Sequence, residues 1–457
     1  MMELRQVKSA AGWLGVGLIL ATPACNRSPD SDGLGDGESG QTPTTSGAEG
    51  TTTSPGTPSG GTADGGSTDG GAKPPQYDVS TIPDAPGAMG CGGGGGGGGI
   101  NEPLYSFIWI ANSSEGTVSK IDTVTLEEVG RYRTHPSNGD PSRTSVSLNG
   151  DVAVANRNGG LVKFYANQAH CEDRNGNGMI DTSTGAADVL AWDDEECRAW
   201  FTPFDYSSQR PVAWTPGQWD PSECRYENTK VWTSGANDGG GFGKGGGGGD
   251  EFEGVRVVLV DGNTGEVDHA VKVLEVEPQY YGIYGGAVDS AGNFWGSQLG
   301  QGDLIKVDLQ TQEYNVWPMG SNGYGMTVDS SGYVWVCSYQ VGRFDPLTET
   351  WDSANVNGGG GCMEDGNGTL WLASQPLVGI DTETMAVVAT YNLPDYVHGV
   401  SIDFQGYVWG VSMNTSAYRV DPLTGDFETV NGLNYPYTYS DMTGFALANA
   451  GGWTPAG

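Results

Sequence analysis

Four times between residues 284 and 412 the chain repeats one phrase: YGGAVDSAGNFWGS (284–297), YGMTVDSSGYVWVCS (324–338), GCMEDGNGTLWLAS (361–374) and HGVSIDFQGYVWGVS (398–412). A second phrase follows each: LIKVDLQT, VGRFDPLT, LVGIDTET and YRVDPLTG. Trp295, Trp335, Trp371 and Trp409 stand 40, 36 and 38 residues apart, and Asp308, Asp345, Asp381 and Asp421 keep intervals of 37, 36 and 40. A period near forty with four short β-rich segments per unit predicts the blades of a β-propeller, not a helical solenoid. Asp-x-x-Gly in each phrase predicts a tight hairpin turn, the aspartate bonding its own backbone and the glycine taking positive φ. The tryptophan on the next strand is expected to pack between neighbouring blades, and the later aspartate to cap the turn between the outer strands. These residues are framework.

Two further units are less regular. FIWIANSSEGTVSKIDTVT (107–125) has the tryptophan strand and the aspartate turn but no inner strand before it. TSVSLNGDVAVANRNGGLVKFYA (144–166) has the inner hairpin and then breaks off, its outer strand resuming at VRVVLVDGNTGEV (255–267). YSDMTGFALANA (439–450) reads as an inner strand without the rest of its blade. If that C-terminal strand completes the first blade, no sheet edge stays open. The fold class is then all-β, a six-bladed β-propeller over residues 104–450, or seven-bladed if the insertion at 167–254 supplies a blade.

The repeats resemble those of streptogramin lyase (virginiamycin B lyase)-like and NHL-type propellers, through xGxxxDxxGxxWxx followed by xxxDPxTG. The resemblance covers roughly 104–166 and 255–450. It implies a propeller and, in the lyases, catalysis at one mouth by paired histidines with glutamates and magnesium. His398 stands where a lyase histidine stands. The equivalent positions in other blades are Tyr284, Tyr324 and Gly360, so the second histidine is absent, and Tyr396 stands where the lyases carry glutamate. A β-elimination needs a base together with an acid or metal. Magnesium is therefore expected only if the lyase reading holds, with His398 as the candidate catalytic residue.

Starts of inner strands converge on the channel of a propeller, so Arg143, Tyr284, Tyr324, His398 and Asp441 are expected to ring one mouth. Aromatics with a few polar groups in a concavity suit a ligand; the alternative is that they plug a narrow channel.

The insertion carries CEDRNGNGMIDTST, which places Asp173, Asn175, Asn177, Gly178 and Asp181 at positions 1, 3, 5, 6 and 9 of an EF-hand-like calcium loop. Met179 would offer its carbonyl. Thr184 replaces the bidentate Glu of position 12, and Asp188 or the run Asp193-Asp194-Glu195-Glu196 could supply the carboxylate. No helical pattern precedes the loop, so structural calcium is expected outside a true EF-hand. Five tryptophans (Trp192, Trp200, Trp214, Trp219 and Trp232) crowd the same insertion and are read as core.

The compartment follows from the first residues. Arg5 and Lys8 precede an apolar run from Ala10 to Ala21, too short to span a bilayer as a mature helix. Ala21-Thr22-Pro23-Ala24-Cys25 resembles a bacterial lipobox, with lipidation at Cys25; Pro23 leaves ordinary cleavage after Ala24 as the alternative. Residues 1–24 are thus expected to be a lipoprotein signal peptide and 25–103 a disordered Ser/Thr/Gly/Pro-rich tether. Six cysteines remain of the seven, an even set that reads as disulfides in an oxidising compartment, with Cys171–Cys197 and Cys337–Cys362 as the expected pairs.

With 56 Asp and Glu against 21 Lys and Arg, the formal net charge is −35, which repels phosphate backbones and excludes nucleic acid as a partner. The expected protein is exported and held by a lipid anchor alone to the cell envelope, at the outer membrane or cell surface. There it would bind a protein, glycan or small molecule. A lyase or hydrolase using His398 is the second reading and a structural surface component the third.

Overall fold

The computed structural model describes residues 106–236, 254–356, 358–439 and 441–456. The expected leader, Cys25 and the tether lie outside the described residues. Seven antiparallel sheets follow one another along the chain, each ordered from an inner to an outer strand. Blade 1 has three strands: Phe107–Asn112, Thr117–Asp122 and Glu128–Arg133. Blade 2 comprises Pro141–Val146, Val152–Asn156, Leu161–Phe164 and Arg198–Thr202. Blade 3 comprises Ser208–Trp214, Lys230–Ala236, Val255–Asp261 and Val267–Val273. Blades 4 to 7 are four-stranded and begin at Gly285–Val288, Gly325–Val328, Cys362–Glu364 and Val397–Ile402. Consecutive inner strands abut from blade to blade.

The wheel therefore has seven blades rather than six, the count allowed if the insertion supplied one. Segment 167–254 contributes the outer strand of blade 2 and the two inner strands of blade 3. Accordingly Val255–Asp261 belongs to blade 3 and does not finish blade 2. Trp200, Trp214 and Trp232 from this segment are buried in the same core as Leu161 of blade 2 and Ile283 and Phe294 of blade 4.

Closure uses the C-terminus, but not as one regular strand. Residues 436–439 and 441–442 run beside the first strand of blade 1, where Tyr437 N–H donates to Ala111 O at 3.3 Å and Trp109 N–H to Met442 O at 2.8 Å. Phe445–Gly451, expected as part of that strand, is an α-helix. Its FALANA run favours helix, and its first turn is capped by Asp441. The Asp441 carboxylate accepts from Thr443, Gly444 and Leu447 N–H at 3.3, 2.8 and 3.2 Å. Ile108, Ile110 and Ile121 of blade 1 then share a core with Trp409, Val411 and Val430 of blade 7, and the ring is shut.

The repeat has a hydrogen-bonding logic. Asp289, Asp329, Asp365 and Asp403 each accept, with one oxygen, the N–H groups two and four residues on. The other oxygen takes the indole N–H six residues on, at 3.0 Å (Trp295), 2.7 Å (Trp335), 3.1 Å (Trp371) and 2.9 Å (Trp409). The rings so aimed fill the gaps between blades, as Trp335 does against Leu370, Leu372 and Ile380 of blade 6. Where the aspartate is missing, the indole bonds neighbouring backbone directly: Trp109 to Gly150 O and Trp232 to Gly292 O.

Turns between the outer strands are also built alike. Asp122, Asp261, Asp308, Asp345, Asp381 and Asp421 each accept with the backbone carbonyl from the residue four on, which is left-handed: Leu126, Gly265, Gln312, Glu349, Met385 and Gly425. A side chain in that conformation costs roughly 1–2 kcal/mol. Glu349 is exposed and at φ 56°, so Glu349→Gly is expected to stabilise by about 0.5–1 kcal/mol. Gly425→Ala runs the other way. At φ 78° its Cβ would meet Tyr391 Cδ1 at 2.4 Å, and a loss of roughly 1–3 kcal/mol is expected in urea unfolding.

Candidate functional site

The starts of the inner strands gather their side chains at one end of the wheel. Arg143 is the third residue of its strand, Tyr284 and Tyr324 immediately precede theirs, and His398 is the second of its own. The structure brings these four together. Arg143 donates from Nη2 to Tyr284 O at 2.8 Å and lies 3.3 Å from the ring centre of Tyr439. Tyr324 Oη bonds His398 Nε2 at 3.0 Å and also meets Tyr437 Oη. His398 Nδ1 is held by Tyr396 Oη at 3.1 Å.

Asp441 is not among them. It caps the C-terminal helix and lines, with Ser145, Trp214 and Val288, a cavity of about 30 Å³ further along the axis. Burial pushes its pKa up to about 6 against the pull of the backbone N–H groups it caps. The position was inferred from a regular inner strand, and the chain turns into a helix there instead.

The site holds more than the inner-strand column. Arg210, on the inner strand of blade 3, stacks 4.7 Å from the ring centres of both Tyr281 and Tyr284 and donates from Nη1 to Tyr284 Oη at 3.3 Å. Arg157 lies 4.3 Å from the Tyr437 ring centre and pairs with Asp140 at 2.5 Å. Tyr437 and Tyr439 arrive on the closing segment. Arg210 was hidden inside the insertion, where no repeat aligned it. The alternation Tyr435, Tyr437, Tyr439 was the visible signal for the other two.

Burial deepens along the axis. Tyr280 and Tyr339 are exposed at 57% and 66%; Tyr281, Tyr324, Tyr396 and Tyr437 are half-buried; Arg143, Arg210, Tyr284, His398 and Tyr439 are buried. Burial, followed by the positive charges of Arg143, Arg157 and Arg210, pushes the His398 pKa down to about 3. Tyr396 is pushed up to about 12, by burial first and Tyr339 second, and Tyr324 is raised by burial and by the neighbouring tyrosines. The group is an imidazole, tyrosine hydroxyls and cations, and among the described residues the imidazole bonds Tyr324 and Tyr396 and no carboxylate.

The expected metal loop forms a tight turn sealed by Cys171–Cys197. Asp173 accepts from Gly176, Asn177 and Gly178 N–H at 2.7, 3.1 and 2.8 Å. Asn175 and Asn177 donate from Nδ2 to Asp181 Oδ2, both at 2.7 Å, and Met179 N–H donates to Asn177 Oδ1 at 2.8 Å. Glu196, 2% exposed, clasps the loop through Arg174, Asn175 and Asp181 N–H at 2.8, 3.1 and 2.8 Å. Asp188 does not serve the loop; it caps Thr184 and Gly185. Among the described residues no group of three or more His, Cys, Asp or Glu side chains converges to hold a metal ion.

Both expected disulfides are present, Cys171–Cys197 at the rim and Cys337–Cys362 joining blades 5 and 6, and Cys224 is disulfide-bonded as well. They suggest an extracellular or periplasmic protein. No helix among the described residues is long and apolar enough to cross a membrane.

No family model matches the chain, and no curated protein matches it by sequence. Among solved structures it is similar to a streptogramin B lyase, at 13% identity over 67% of this chain and 87% of that one, with a TM-score of 0.47. Virginiamycin B lyase from Staphylococcus aureus is similar at 11% over 63% and 83%, TM-score 0.41. A functionally unknown protein from Desulfotomaculum acetoxidans is similar at 10% over 73% and 100%, TM-score 0.47. Likeness of this degree carries over neither a site nor an activity.

Proposed function

We propose that the chain is an extracytoplasmic, lipid-anchored binding module that offers the tyrosine-lined mouth of its propeller to a ligand. One observation carries the reading: tyrosines graded from exposed through half-buried to buried lead down the axis onto arginines and a neutral histidine. Flat amphipathic rings around a few polar groups are how ligand sites are furnished, and rigid rings give contact area at little entropic cost. A plug needs no exposed upper tier. Native mass spectrometry of the protein extracted from its source membrane tests this, and also weighs a lipid on Cys25. A bound mass that disappears in Tyr324→Ala is expected; protein without a bound mass, and no ligand protecting the mouth tyrosines from iodination, would refute it.

The binding reading is preferred to catalysis because of His398. A general base serves best when it titrates near the working pH. His398 is pushed far below that, and among the described residues no carboxylate bonds it. The sign is as follows. The folded value near 3 lies below the unfolded value of about 6.5, so the unfolded chain takes up a proton first as the pH falls. Stability from this residue is complete above about pH 6.5 and is lost toward pH 3. Relative to wild type, His398→Asn is expected to be destabilised most at pH 8, with the gap narrowing by pH 4 in denaturant titrations. A gap independent of pH would show that the imidazole is not held neutral.

Calcium in the 173–181 loop remains part of the proposal, in a structural role. Asp173, Asp181 and the amide oxygens of Asn175 and Asn177 are the donors that would hold it, and Glu196 is the carboxylate bonded to the loop backbone. With affinity on the order of 10⁻⁴–10⁻³ M, millimolar calcium would stabilise by about 0.5–2 kcal/mol. Chelator is expected to lower the melting temperature of the wild type and to leave Asp173→Ala unchanged; equal melting with and without chelator would end the metal reading.

A further inference from the structure

The chain as a whole carries a formal net charge of −35, yet Arg143, Arg157 and Arg210 gather around His398 at the axis of the wheel. Arg143 and Arg210 are 1% and 4% exposed, and neither forms an ion pair among the described residues. A guanidinium does not deprotonate in a protein, and burying one without a counter-charge costs several kcal/mol. Ring faces offset only part of this. The N–H donors are left short of acceptors. Among the described residues Arg143 uses one bond, to Tyr284 O, and its Nε has none. Arg210 has two long contacts, 3.3 Å to Ser208 Oγ and 3.3 Å to Tyr284 Oη. The hydroxyl of Tyr439, whose ring Arg143 stacks on, is also without a hydrogen bond among the described residues. Buried polar groups in native proteins are normally satisfied, and clustered exceptions call for a missing partner.

We infer that the mouth takes a ligand bearing an oxyanion, a carboxylate or a tetrahedral phosphate or sulfate, received between Arg143 and Arg210 beside Tyr284 with its apolar body on the tyrosine rings. This rests on the binding reading and names its ligand class. Both guanidinium carbons lie against the same ring, 5.3 and 4.7 Å from the Tyr284 centroid, so the two N–H forks are gathered around one side chain. Planar N–H forks match carboxylate and phosphate oxygens. His398, held neutral, neither competes as a cation nor repels as an anion.

The test is calorimetric titration of the full chain with inorganic phosphate, sulfate and benzoate at constant ionic strength set by sodium chloride. Saturable binding of at least one is expected. Arg210→Gln should weaken it about tenfold or more, and Lys272→Gln, exposed on the outer strand of blade 3, should leave it unchanged. Benzoate alone would assign a carboxylate, and phosphate or sulfate alone a tetrahedral anion. Should Arg210→Gln not fold, displacement of the His398 ring signals by anion in the wild-type NMR spectrum gives the same answer. Absence of saturable binding up to tens of millimolar, or equal binding by Arg210→Gln, would overturn the inference. A neutral ligand found in the mouth by mass spectrometry would overturn it while leaving the binding reading intact.

Discussion

In four consecutive blades the inner hairpin turn is tied to the blade interface through one aspartate, whose first oxygen takes two backbone N–H groups and whose second takes an indole N–H. The carboxylates of Asp329, Asp365 and Asp403 are buried, and burial raises their pKa values despite those bonds. Asp403 is the most deeply placed of the three and has a guanidinium, Arg419, at 2.8 Å. Removing any such carboxylate would leave an indole N–H and two turn amides without partners inside the protein. The tryptophan would also lose the bond that aims it at the next blade. Interface packing, and with it the common axis onto which the inner strands point, depends on this joint.

Blades 4 to 7 were legible because turn, indole and second turn recur at nearly constant spacing. Blade 3 was not. Its inner strand, Ser208–Trp214, contains Pro211, and a hairpin at Gln218–Asp220 and Arg225–Glu227 separates it from the next strand. Its tryptophans bond backbone carbonyls rather than a repeat aspartate, so no spacing announced them. The mouth residues found in advance were those that repeat alignment could place: Arg143, Tyr284, Tyr324 and His398. Arg210 sat outside any alignment, and Asp441 was misplaced because helix propensity in FALANA and the capping of its first turn prevailed over strand register. Glu196 was one of several acids near the loop, and the fold, not the spacing, is what bonds it to the loop backbone while Asp188 caps Thr184 and Gly185.

Charge is distributed by radius. The carboxylates of the outer turns, such as Asp308, Asp345 and Asp381, are solvated and held below the usual carboxylate range by backbone and threonine hydrogen bonds. The arginines at the axis have rings and hydroxyls around them instead. Strongly negative flanks discourage nonspecific anion adsorption, while a small positive centre survives because aromatic faces separate it from the acidic surface. Selectivity for one anionic group presented in the right shape is compatible with a protein that repels polyanions as a whole.

Closure of the ring has a consequence for biogenesis. Asn112 receives its backbone partner at Asn434 from 322 residues further along the chain. Blade 1 is a three-stranded fragment with an unpaired inner edge until that segment arrives. Contacts of such long sequence separation form late and slowly. A polypeptide made N-terminus first thus stays unlatched until Asn434, Tyr437 and Met442 reach blade 1 and throw the bolt.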